Sequence, residues 1–403
     1  MKEIKILTKS FDQSLVLPGS KSLTNRALIM AALCQKESQL NGILECDDTM
    51  ACKEALNTLE TQLPIKSIHC HEAGTVARFL LPVCAALGGN YRFDAGNRLR
   101  ERPIKPLIQL LKQQAIEFEF MHNADQMPFM MHSSGMVGGN VSIDISDSSQ
   151  FLSGLCISAP LTQKGMIIHT TQPIASKPYV MMTLKLMEQF GISHYFHDDT
   201  CIEIPSSSYQ AIDLSIEPDA STASYFFAAA ALTNSRIEIK HLNADSFQGD
   251  LKFLDILEKI GCRVSKNEHS IVVSGPQSLG SINTVDMSAF SDTFMTLAIM
   301  APFLETPTTI TGIRHTQYQE SHRITSMASG LNQLNIRTET TDDSLTIFPG
   351  VPKGNTVQSY HDHRVAMAFS ILGLKVPGIH IDDPHCVSKT CPLFFEYLEK
   401  LRG

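Results

Sequence analysis

Residues 17–33 read LPGSKSLTNRALIMAAL. The stretch is an apolar, Ala/Leu-rich helix whose opening turns carry Lys21, Ser22, Asn25 and Arg26. A helix N-terminus already bears positive partial charge, so two cations crowding it need a reason. Either they are solvated surface groups, or they and the free N–H groups of the first turn hold an anion. This stretch alone leaves both readings open.

The same kind of helix recurs. Small-residue, apolar helices read NRALIMAALC (25–34), TVARFLLPVCAAL (75–87), QFLSGLCISAPL (150–161), TASYFFAAAAL (222–232), TFMTLAIMAPFL (293–304) and HRVAMAFSILGL (363–374), with starts 50, 75, 72, 71 and 70 residues apart. Alternating strands follow five of the six, among them MIIHTT (166–171) and RIEIKH (236–241). Amphipathic helices come next, such as DDTMACKEALNTL (47–59), PIKPLIQLLKQQ (103–114), YVMMTLKLMEQF (179–190) and FLDILEKIG (253–261). A period of about 70 residues marks duplicated supersecondary units. The first helix of each unit is apolar all round and should be buried, while the second has one polar face and should be exposed. Six units over two domains predict an α/β protein with three units per domain, sheets outside and buried parallel helices within.

Composition bounds the function. A chain of 403 residues exceeds one ordinary core, and 43% hydrophobic with 18% charged residues is a folded composition. The net charge of −8, with no basic tail, argues against nucleic-acid or anionic-membrane partners, so any anion site must be local. The opening MKEIKILTKSFD has no long apolar run, and no segment reaches the roughly 18 apolar residues that span a bilayer. Ten scattered cysteines without a Cys-x-x-Cys pair fit reduced cytosolic thiols. A cytoplasmic monomer is expected. IHCHE (68–72) and HDH (361–363) lack the spaced partners zinc needs, so no metal is expected. PGSKS (18–22) lacks the first glycine of a phosphate-cradling loop.

The repeats align the polar residues. Lys21 and Arg26, Arg78, Ser148–Gln150, Asp219, Asp292 and Asp362–Arg364 fall at the N-terminal edge of a buried helix. Asp47–Asp48, Asn97–Arg98, Ser176–Tyr179, Glu320–Arg323 and Lys389 fall between a strand and the second helix. Taken singly, Lys21, Arg26, Arg78, Arg98, Arg323, Arg364 and Lys389 each read as a solvated or structural cation, but seven in equivalent positions around helix N-termini gathered at one end of each domain are expected to form an anion site. So many cations imply ligands with several negative charges. In DSSQF (147–151), capping explains only part of three adjacent polar groups. SKPY (176–179) is a turn that presents Ser176 and Tyr179 or a plain one. Asp292 is a helix N-cap or a proton-transfer group, and Glu320 is an exposed ion-pair partner of Arg323 or a second proton-transfer group. Gly74 lets a ligand approach the backbone.

In order along the chain, LPGSKSLTNRAL, AGTVARFL, RLRERP, SSQFLSGL, SKPY, PDASTASYFFAAAAL, SDTFMTLA, QESHRI, DHRVAMAFS and DPHCVSKTCPLFF resemble the 5-enolpyruvylshikimate-3-phosphate synthase family. The resemblance covers nearly the whole chain. It implies the enolpyruvyl transferase fold, a two-domain inside-out α/β barrel with three βαβαββ repeats per domain. The domains would be 16–216 and 1–15 plus 217–403, with ligands in the cleft between them. It implies transfer of the enolpyruvyl group of phosphoenolpyruvate to the 5-hydroxyl of shikimate 3-phosphate by addition and elimination, without a cofactor. Shikimate 3-phosphate would meet Lys21, Ser22, Arg26, Ser148, Ser149, Gln150, Ser176, Tyr179, Asp292, His315 and Gln319. Phosphoenolpyruvate would meet Lys21, Gly74, Arg98, Gln150, Arg323, Arg364 and Lys389. Asp292 would deprotonate the 5-hydroxyl, Glu320 and Lys21 would protonate the methylene carbon, and His363 would support Arg364.

This chain departs from the family's pattern at Gln319, where Lys is usual, at His322, where Asp is usual, at His315, where Asn is common, and at Phe79, where Pro is common. The sister enzyme acting on UDP-N-acetylglucosamine is disfavoured because the loop AGNRLRERP lacks its cysteine. A non-catalytic anion-binding derivative is disfavoured because such a module needs no proton-transfer carboxylates.

Overall fold

The computed structural model describes residues 1–174 and 176–402. The six apolar segments are helices Lys21–Ala32, Gly74–Leu87, Gln150–Ser158, Ala220–Leu232, Phe294–Met300 and His363–Gly373, the first to sixth buried helices below. Every residue of the fourth and sixth is buried, as apolarity on all faces requires. The second helices are Asp47–Glu60, Lys105–Gln113, Lys177–Gln189, Phe253–Lys259, Arg323–Gln333 and Phe394–Lys400.

The chain divides into two units, Ser20–Ile216 and Met1–Gly19 with Glu217–Gly403, each holding three buried helices. Four sheets repeat one plan. In the first unit, Lys66–His69 runs parallel to Gly89–Asp94 across the second buried helix, and the antiparallel strands Phe129–Ser133 and Glu117–Phe120 complete the sheet. Gly139–Ile143 and Met166–Thr170 do the same across the third helix, with Cys201–Ile204 and Tyr195–Asp198 completing that sheet. Thr284–Asp286 and Thr308–Thr311 flank the fifth helix in the second unit. Two further sheets are smaller, with two and three strands.

Two strands are exchanged between repeats. Asp12–Leu15 precedes the first buried helix in the chain, yet pairs in parallel with Arg236–Lys240, which follows the fourth. Asp213–Ser215 precedes the fourth helix, yet pairs with Gln39–Asn41, which follows the first. The unit boundary follows from this exchange. The bridge between Gly19 and Pro218 keeps residues 16–19 with the second unit, four residues beyond the sequence expectation.

Helix starts also differ from the sequence reading. Ser20 caps the first buried helix by accepting from Leu23 N, so Lys21 stands in its first turn, whereas Arg26 lies more than a turn inside. Arg78 likewise lies within its helix. Asp292 is not a helix cap. It sits in the 3-10 turn Ser291–Thr293 ahead of the fifth helix, whose cap position is Thr293.

Close packing of the second and third helices positions Gln150. Gly154 faces the backbone carbonyl of Arg78, and a β-carbon there would stand well inside contact distance of that oxygen. Gly154→Ala is therefore expected to cost about 1–3 kcal/mol through overpacking, read as a lower urea midpoint. An unchanged midpoint would show that the two helices separate freely.

Candidate active site

In the unit Ser20–Ile216, hydrogen bonds tie the buried helices at their N-terminal ends. Asn25 Nδ2 donates to Thr75 Oγ1 at 2.8 Å, and Arg78 Nη1 donates to Gln150 Oε1 at 2.9 Å. Lys21 pairs with Asp48 at 3.0 Å, with both side chains nearly buried. Arg26 donates to Thr183 Oγ1 at 2.7 Å and to the carbonyls of Ser22 and Tyr179 at 2.9 and 3.3 Å. Burial pushes its guanidinium down to about 10, and Phe79 lies against it with the ring centre 4.8 Å away. The Phe79 departure thus belongs to the Arg26 surroundings.

Ser148 Oγ accepts from Gln150 N at 3.2 Å. Ser149 and Ser176 stand at the caps of their helices, but neither side chain makes a capping bond, so capping does not account for these hydroxyls. Tyr179 starts one turn after Ser176. Gly74 opens the second buried helix, and a β-carbon there would lie 2.7 Å from Arg78 Nη1 and 3.0 Å from Arg102 Nη1. Arg98 instead stands half-exposed on Glu101 at 3.3 Å. The guanidinium groups buried against Gly74 are those of Arg78 and Arg102, the second of which sequence reasoning did not single out.

In the unit Met1–Gly19 with Glu217–Gly403, Arg323 is the hub. It is 1% exposed, with Nε 2.8 Å from Asp362 Oδ2, Nη2 2.8 Å from Glu320 Oε2 and Nη1 3.3 Å from Asp292 Oδ1. Gln319 Oε1 also accepts from Nη1. Burial alone would lower its pKa, but the carboxylates of Asp362, Glu320 and Asp292 outweigh it and raise the value. Asp292 also accepts from Arg364 Nη2 at 2.8 Å, and Glu320 lies 3.6 Å from Lys389. Each of these carboxylates therefore stands between two cations. Glu320 is not on an exposed helix face, because the ion pair with Arg323 is buried.

Asp362 caps the sixth buried helix through Arg364 N, and His363 lies buried beside it. Arg364 Nη1 is buried with no hydrogen-bond partner among the described residues. His315 Nε2 is 2.7 Å from Ser291 Oγ. His322 is occupied at the surface, where its Nδ1 is 2.8 Å from Thr325 Oγ1. Of the two histidine-rich stretches, IHCHE is engaged elsewhere, with His71 3.1 Å from Glu54, and within HDH only His361 turns away, 2.8 Å from Asp383, while Asp362 belongs to the Arg323 cluster.

Asp250 is a second residue that sequence reasoning missed, although QGDLKFL occupies the strand-to-second-helix position that supplies Glu320 and Arg323 in the next repeat. Its carboxylate accepts from Ser221 Oγ at 2.9 Å. Burial, reinforced by Asp292, pushes it up to about 7 against the lowering effect of Arg364 and Ser221.

The architecture is that of the enolpyruvyl transferases. It superposes on an EPSP synthase from Acinetobacter baumannii with a TM-score of 0.81 at 21% identity, covering 99% of this chain and 97% of that one. The enolpyruvyl transferase NikO from Streptomyces tendae matches with a TM-score of 0.77 at 17% identity, covering 99% and 96%. The family model for EPSP synthase (3-phosphoshikimate 1-carboxyvinyltransferase) matches residues 8–398. A relative from Halalkalibacterium halodurans named 3-phosphoshikimate 1-carboxyvinyltransferase 2 is 38% identical, over 99% of this chain and 94% of its own length. A chloroplastic 3-phosphoshikimate 1-carboxyvinyltransferase from Arabidopsis thaliana is 35% identical, over 96% and 81%. This chain belongs to the EPSP synthase family.

The raised Asp250 pKa has a thermodynamic consequence. The folded chain binds this proton more tightly than the unfolded chain, so its contribution is present below about pH 4 and lost as pH rises towards 7. Asp250→Asn is expected to remove that loss, leaving the melting temperature less dependent on pH across this window. An identical slope in both proteins would show that Asp250 titrates normally.

Proposed function

We propose that this protein transfers the enolpyruvyl group of phosphoenolpyruvate to the 5-hydroxyl of shikimate 3-phosphate and releases phosphate, as a cytoplasmic monomer. The observation that carries the proposal is the buried set of Arg323, Arg364 and Lys389 interleaved with Asp292 and Glu320, with Arg364 Nη1 left to donate. In a module that only held anions these carboxylates would balance buried charge but compete with the ligand, whereas in an enzyme they also supply proton transfer.

The roles follow from the chemistry each group can perform. Lys21, Ser22, Arg26, Ser148, Ser149, Gln150, Ser176 and Tyr179 hold shikimate 3-phosphate, with guanidinium and ammonium on the phosphate and hydroxyls on the ring substituents. Gly74, with Arg78 and Arg102 against it, together with Arg98 and Lys21, takes the phosphate of phosphoenolpyruvate. Arg323, Arg364 and Lys389 take its carboxylate. In the free protein, Asp292 and Glu320 serve as counterions to those cations. An incoming carboxylate that takes over the guanidinium groups releases both acids for proton transfer.

Asp292 then accepts the 5-hydroxyl proton as the oxygen attacks C2 of phosphoenolpyruvate, while Glu320 or Lys21 protonates the methylene carbon to give a tetrahedral adduct. Loss of a proton from the new methyl group and departure of phosphate restore the double bond. Atoms and charge balance without a cofactor. Gln319 supplies a hydrogen-bonding amide where the family usually has a cation, so substrate affinity falls while the proton-transfer groups remain.

Phosphate release tests the reading. Wild type is expected to release phosphate from phosphoenolpyruvate only when shikimate 3-phosphate is present. Asp292→Asn should lower kcat by about 10²–10⁴-fold, the usual worth of a positioned base. Gln319→Lys should lower KM for shikimate 3-phosphate. If neither wild type nor Gln319→Lys releases phosphate, the proposed activity is wrong.

A further inference from the structure

His315 lies in the 3-10 turn Arg314–Tyr318, with Nε2 bonded to Ser291 Oγ. Ser291 is buried and immediately precedes Asp292, the carboxylate shared by Arg364 and Arg323. One hydrogen bond therefore joins the turn that carries Asp292 to the turn that leads into Gln319 and Glu320. We infer that His315 is a positioning residue which holds the Asp292 carboxylate in place through Ser291, and that protonation of its ring reverses this hydrogen bond, adds a cation beside Asp292 and lowers turnover on the acid side. The inference rests on the proposed role of Asp292 as base.

The physical reason lies in what each form of the ring can bond. A neutral imidazole with its proton on Nδ1 accepts the Ser291 O–H at Nε2. The imidazolium donates from both nitrogens, so the Ser291 hydroxyl must become an acceptor and turn its hydrogen elsewhere. The new charge also becomes a third cation near Asp292, beside Arg323 and Arg364, and makes that carboxylate a weaker base.

The groups facing His315 set the balance. Burial disfavours the imidazolium most strongly, and Arg323 opposes it as well. Asp292 favours it, as does Asp343, whose carboxylate is fixed by Gly312 N and Arg314 N at 3.2 and 2.9 Å. The net direction is below the ordinary imidazole value, which favours the neutral ring.

Two measurements test this. The first is the pH profile of kcat for wild type, His315→Asn and His315→Ala. Asn can bond Ser291 but does not titrate, so it should recover most of the activity that Ala loses and move the acid limb to lower pH. Ala should lose about tenfold in kcat, the worth of roughly one hydrogen bond, with a smaller change in KM. An Asn variant with the wild-type acid limb, or one as impaired as Ala, overturns the inference. The second is an NMR titration of the His315 ring in wild type and Asp292→Asn, which needs no turnover. The midpoint should fall when the facing carboxylate is neutralised, and an unchanged midpoint overturns the coupling. Absence of turnover in wild type, with the NMR shift present, counts against the proposed activity alone.

Discussion

A helix that is apolar on every face can be stable in water only if other elements cover it completely. Six such helices in one chain leave one economical solution, in which three pack together inside each unit and the sheets lie outside. That constraint also places the chemistry. Parallel helices in contact bring their N-terminal N–H groups to one end, and polar side chains there must find partners in a low dielectric. The links Asn25–Thr75, Arg78–Gln150 and Ser224–Thr296 are the local expression of this requirement.

Charge then has to be balanced where water is scarce. Arg323 is the most demanding case, because a guanidinium so deeply buried is tolerable only with several acceptors around it. Asp362 meets it from the cap of the sixth buried helix, Glu320 from the preceding loop and Asp292 from a 3-10 turn, so one side chain joins three separate elements. The same ion pairs that balance the buried guanidinium keep two acids beside the cations a substrate would need. Structural and chemical demands coincide in these residues.

The repeat made the buried helices and their polar ends legible before any coordinates, because all-round apolarity and a recurring spacing are properties of the chain itself. It also placed Asp292, Glu320, Arg323, Arg364 and Lys389 in corresponding positions. Their partners were not legible. Arg102 and Arg98 lie four residues apart in RLRERP, and only the fold turns one towards Gly74 and leaves the other on Glu101. Asp250 stood in the right repeat position, but its burial beside Ser221 and near Asp292 depends on packing across elements.

Sequence alone determined the class of secondary structure, the helices that must be buried and the family, because these follow from local periodicity and from residue identity at fixed spacing. Tertiary structure alone decided that the strands Asp12–Leu15 and Asp213–Ser215 pair outside their own repeats, and that Asp292 is a counterion and not a cap. Strand partners and ion pairs are chosen by groups more than 30 residues apart in these cases, whose proximity is fixed by the packing of the whole unit.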